Sequence, residues 1–186
     1  MVVRMAIGIV VLVGFYLANT VWNADPRAAR AAGLLPFQKL VADAPSNDQR
    51  MFRELQEGLL EAERLRGSTG AWPSPAALAE AGIPPLAADP TAKGPSYRWI
   101  LTRRGAFVNY RGTPAAGAPT WLLHVQEPLP GTLPDMAPED EEHHRLSDGT
   151  MLHVSIWTHA DGERLSPALV QVPQAEGWTQ WRIKTP

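Results

Sequence analysis

Three of the chain's five histidines, His143, His144 and His153, lie on either side of Asp148-Gly149. Asp-Gly between two β-type segments is a strong short-range hairpin signal. With a two-residue loop, His144 would face His153. With a three-residue loop and Gly149 left-handed, His143 would face it instead. Either register sets two imidazoles on neighbouring strands. In the first, Leu152, Val154 and Ile156 point to the core, leaving His144 and His153 on the other face with Glu142 nearby. Two imidazoles and a carboxylate can hold Zn²⁺ or another divalent ion, and the acidic residues before the hairpin would concentrate it. The candidate metal set is therefore His143, His144, His153 and Glu142, with His124 and His159 further off. Facing imidazoles also repel when protonated near about pH 6, which makes a pH-sensitive hairpin a second reading. An ordinary solvated strand face accounts for the same residues with no ligand.

Other chemistry finds little support. The absence of cysteine removes disulfides, thiol nucleophiles and cysteine metal sites together. There is no Gly-x-Ser-x-Gly, no phosphate-cradling glycine loop and no His-Glu-x-x-His. Ser147-Asp148 beside His143 and His144 has the residue types of a triad, but on a hairpin turn. No catalytic or cofactor-binding residue is assigned, and no enzyme activity is expected. A formal net charge of -2 argues against nucleic acid, whose partners carry a basic excess. The Trp residues fall mostly at alternating strand positions or turns, as core aromatics do.

The elements that would position this hairpin follow from punctuation and periodicity. Residues 1–4 read as a short cytoplasmic N-terminus. Residues 5–24 carry no charge and suit a transmembrane anchor, because about 20 helical residues rise roughly 30 Å. Arg27, Arg30 and Lys39 follow this run and oppose that topology, yet translocation of the main domain is the expected outcome. Pro26, Pro36 and Pro45 mark 25–46 as a tether. From 47 to 186 an extracytoplasmic domain is expected. Ser46 and Gln49 suggest a capping box. Met51, Phe52, Leu55, Leu59, Ala62 and Leu65 form an apolar helical stripe that Gly67 would end. A short helix over 74–81 has Ser74 as cap and Pro75 at its first position.

Strands follow at 97–101, 106–110, 121–126, 143–146, 150–157 and 177–184. Between the third and fourth, residues 128–142 read as a mobile acidic, Pro-rich loop. The expected fold class is α+β: an N-terminal transmembrane helix, then an amphipathic helix packed on a mainly antiparallel sheet.

The run Gly70-Ala71-Trp72-Pro73, Leu78, Gly82-Ile83-Pro84-Pro85, Asp89-Pro90 and Tyr97-Arg98-Trp99 resembles the soluble half of type IV pilin-like and pseudopilin proteins. That resemblance implies a helix, a Trp-Pro turn and an antiparallel sheet. It does not extend to the leader: Gly14-Phe15 lies inside the apolar run, and Asn19 stands where those proteins need Glu. The chain is also similar to a family of anchored proteobacterial proteins encoded near metal-uptake systems. Together these readings lead to a non-enzymatic, single-pass accessory protein of the inner membrane, with its bulk in the periplasm. Its expected partners are the lipid bilayer and an unidentified envelope protein, in support of a transporter or of metal handling. The alternatives are a pilin-like structural subunit and a weak divalent-metal-binding or pH-sensing periplasmic protein.

Overall fold

The apolar stripe becomes the buried face of the longest helix. In the computed structural model, which describes residues 33–87, 94–115, 117–129, 131–132, 135–165 and 168–184, helix α1 spans Ser46–Thr69 and buries Phe52, Leu55, Leu59 and Ala62. Its ends differ from the sequence expectation. Ser46 is already helical behind Pro45, which makes no side-chain cap, and the Gln49 amide reaches back to the Ala44 carbonyl at 2.9 Å. Gly67 stays in the helix. Termination comes at Gly70, whose left-handed φ of 75° lets its N–H reach the Arg66 carbonyl. Helix α2, Pro75–Glu80, is capped as expected, with Ser74 Oγ accepting from Ala77 N–H at 3.1 Å.

Seven strands follow one another as β1 (Gln38–Leu40), β2 (Tyr97–Arg104), β3 (Phe107–Pro114), β4 (Thr120–Gln126), β5 (His143–Arg145), β6 (Met151–His159) and β7 (Thr179–Arg182). They form one sheet in the order β1-β7-β6-β4-β3-β2, with β5 also paired to β6. Both β5 and β7 lie on the side of β6 away from β4. β5 pairs with its first part and β7 with residues 156–158.

Side chains alternate between two covered faces. On one face α1 packs against Val108, Tyr110, Leu123, Val125, Leu152, Val154 and Ile156. The other face gathers Leu122, Trp157, Val170 and Trp178, with Phe37 stacked on Trp157 at 5.8 Å. Cover on both sides explains why β4 is buried from Thr120 to Val125, without a polar-out alternation.

The expected architecture is corrected in two respects. The sheet is mixed, because β1 runs parallel to β7, and seven strands with one long helix make it the dominant element. Among the described residues no helix is long and apolar enough to cross a membrane. The run 5–24, read as a transmembrane helix, lies outside the described residues. β1 escaped the sequence reading because it is three residues long, follows Pro36 and shows no alternation. The folded unit extends from Leu35 to Lys184, so it takes in residues 35–46 of the expected tether.

Candidate functional site

A single glycine decides which histidines meet. Leu146 N–H donates to the Thr150 carbonyl at 2.8 Å, and Gly149 N–H donates back to the Leu146 carbonyl at 2.9 Å. Gly149 has φ of 85°, so Ser147, Asp148 and Gly149 form a three-residue loop with the glycine left-handed. Asp148 Oδ1 accepts from Thr150 N–H at 2.9 Å and steadies the turn. The register that results pairs Arg145 with Met151, His144 with Leu152 and His143 with His153.

The His143 and His153 rings stand edge to face, with centroids 4.8 Å apart. Each has one nitrogen held by a carboxylate. His143 Nδ1 lies 2.8 Å from Asp140 Oδ1, which also accepts from the backbone N–H groups of Glu142 and His143. His153 Nε2 lies 3.0 Å from Asp135 Oδ2. Ionised carboxylates only accept, so the hydrogens sit on His143 Nδ1 and His153 Nε2. When a ring is neutral, its opposite nitrogen, His143 Nε2 or His153 Nδ1, carries the lone pair. Both carboxyls are held below the usual range. For Asp135 the main cause is the Ala137 backbone N–H, with His153 adding to it. Partial desolvation pushes Asp140 up, but the N–H groups of Glu142 and His143 and the His143 ring outweigh it.

His124 reaches the same recess from β4. It is 7 % exposed and stacks on Phe107. Asn109 on β3 donates to the Val170 carbonyl through Nδ2 at 2.9 Å, which leaves its Oδ1 to accept from His124 Nδ1 at 2.9 Å. Burial pushes the His124 pKa down to about 4, so the ring is neutral near pH 7. A cavity of about 180 Å³ is lined by His124, His143, His153, Gln126, Ser155 and Gln180.

His144 and Glu142 do not join the pair, which corrects the first register considered from sequence. His144, opposite Leu152, turns to the helix face and places Nδ1 2.7 Å from Glu63 Oε1 on α1. The Glu142 carboxylate lies at the edge of the cavity but is engaged by Gln180 Nε2 and, at 2.7 Å, by an Arg182 guanidinium nitrogen. With Glu141, which also accepts from Arg182, it ties the end of the acidic segment to β7. His159 is outside the recess, its Nδ1 accepting from Asp161 N–H at 3.0 Å. Among the described residues no group of three or more His, Asp or Glu is already gathered for a metal ion. The sequence reading did not single out Asn109, and it took Asp135 and Asp140 only as part of the acidic loop. Asn109 did leave a signal, since asparagine is depleted inside strands.

The profile of a family of unknown function, DUF6162, matches residues 38–186. The chain belongs to that family. The match begins at the first residue of β1 and spans every strand of the sheet. No curated protein and no solved structure matches the chain.

Proposed function

We propose that this DUF6162 domain is a non-enzymatic accessory module of the cell envelope that binds a divalent transition-metal ion weakly through His143 and His153. One observation carries the reading: two facing imidazoles, each with one nitrogen held by a carboxylate and the other free to ligate. Carboxylates in this position orient imidazole ligands and raise their basicity. Imidazole donors suit Zn²⁺, Co²⁺, Ni²⁺ and Cu²⁺ rather than Mg²⁺ or Ca²⁺. Zn²⁺ titration of the full chain followed by calorimetry tests it. Binding is expected in the wild type and should be lost in the His143→Ala, His153→Ala double variant. An unchanged isotherm in the double variant would overturn the assignment.

The uncharged apolar run 5–24 supports attachment of this module to a membrane. The full chain is expected in the membrane fraction, and a chain starting at Asp25 in the soluble fraction. Identical partition of the two would remove the membrane from the reading.

A further inference from the structure

His124 and His153 are neighbours across the β4–β6 ladder. Gln126 pairs with His153 and His124 with Ser155, so His124 is diagonal to His153. Residues two apart on a strand share a face, and His143 is directly opposite His153. The three imidazoles therefore project from one face, on β4, β6 and β5. Diagonal neighbours on a sheet lie roughly 7–8 Å apart, within reach of ring side chains.

Ring orientation adds to this placement. His124 Nδ1 is fixed to Asn109, its cross-strand neighbour on β3. β3 lies on the side of β4 away from β6. With Nδ1 donating to Asn109, the lone pair of His124 is on Nε2, and His124 lines the cavity together with His143 and His153. We propose that His124 is the third ligand of this recess, which binds a borderline divalent ion such as Zn²⁺ or Co²⁺ through three imidazoles. The inference rests on the His143–His153 reading and adds a donor to it. Three protein nitrogens leave a fourth tetrahedral position for water or an incoming ligand. That open position suits an ion that is exchanged rather than locked into the fold. Because the three are not already gathered for a metal ion, His143 and His153 must turn toward His124. The His153 side chain, 46 % exposed, has to give up its present contact with Asp135 to do so, whereas His124 is held by Asn109.

The test uses Co²⁺ as the probe on the full chain with ¹⁵N-labelled histidine. Three imidazole ligands predict visible absorption of four- or five-coordinate Co²⁺. Zn²⁺ is expected to shift the Nε2 resonance of His124. Loss of a residue that merely orients a ligand costs roughly 10–100-fold in affinity. His124→Gln should therefore weaken Co²⁺ binding roughly tenfold or more and abolish the visible bands. Should that variant fail to fold, the wild-type Nε2 shift decides alone. Wild-type binding that depends on His143 and His153 but leaves the His124 nitrogens unmoved would overturn this inference and spare the two-imidazole reading. Absence of any binding by the wild type would overturn both.

Discussion

Glu127, just beyond β4, accepts from Arg66 Nε and Trp72 Nε1 on one oxygen, each at 3.1 Å, and from Arg103 at 3.0 Å on the other. One buried carboxylate thereby ties α1, the Trp-Pro turn and β2 together, and three donors replace the water it loses. His124 is buried with a different consequence. Its pKa falls from an ordinary 6.5 to about 4 because burial disfavours the imidazolium. As pH falls below about 6.5 the unfolded chain takes up this proton, while the folded chain does so only near 4. The His124 contribution to stability is therefore whole above pH 6.5 and is lost between 6.5 and 4. The loss amounts to roughly 3 kcal/mol at about 1.4 kcal/mol per pH unit. Asp135 and Asp140, lowered instead, lose their contributions in a more acidic window. Urea midpoints measured with a chelator from pH 7.5 to 4.5 should fall more steeply for the wild type than for His124→Gln. Parallel curves would show that the His124 ring is not buried in this way.

At the scale of elements, the β5–β6 loop sets the chemistry of the recess. A two-residue loop would place His144 opposite His153. The third loop residue places His143 there and gives His144 to Glu63 on α1. Left-handed backbone costs a Cβ-bearing residue roughly 1–2 kcal/mol, with asparagine the best tolerated. Stability is accordingly expected to order Gly149, then Gly149→Asn, then Gly149→Ala, by guanidinium unfolding. An alanine variant as stable as the asparagine one would contradict the conformation assigned to the loop. Much at this scale was legible in the sequence. Ser74, Pro75, the α1 stripe and most strand positions depend on neighbours a few residues away. The end of α1 was harder to read, because Gly67 and Gly70 both offer a stop. The Ser68 and Thr69 hydroxyls bond back to the Leu65 carbonyl, and the left-handed residue is Gly70.

For the whole molecule, β1 closes the sheet beside β7. Leu40 is buried, Phe37 stacks on Trp157, and Gln38 Nε2 donates to Gln180 Oε1 at 2.8 Å across 142 residues of chain. Burying Leu40 is worth roughly 1.5–3 kcal/mol, and half-buried Phe37 adds part of a similar amount. A chain starting at Ala44 should be destabilised by about that amount relative to one starting at Gly33, measured by urea unfolding. Equal stability of the two would mean that β1 is dispensable.

Local pattern alone determined that an amphipathic helix precedes a set of β hairpins, and that histidines and acids crowd around one of them. It could not determine that a three-residue strand pairs in parallel with the far end of the chain, because so short a segment has no period and its partner is distant. It also left the hairpin register open, since Asp-Gly serves both loop lengths. The tertiary structure chose the longer loop, placed His143 against His153 and brought His124 in from another strand. That choice is a matter of packing: only the longer loop sets Leu146 on the same face as Leu152, where it buries in the core beneath α1, and this leaves His143 opposite His153.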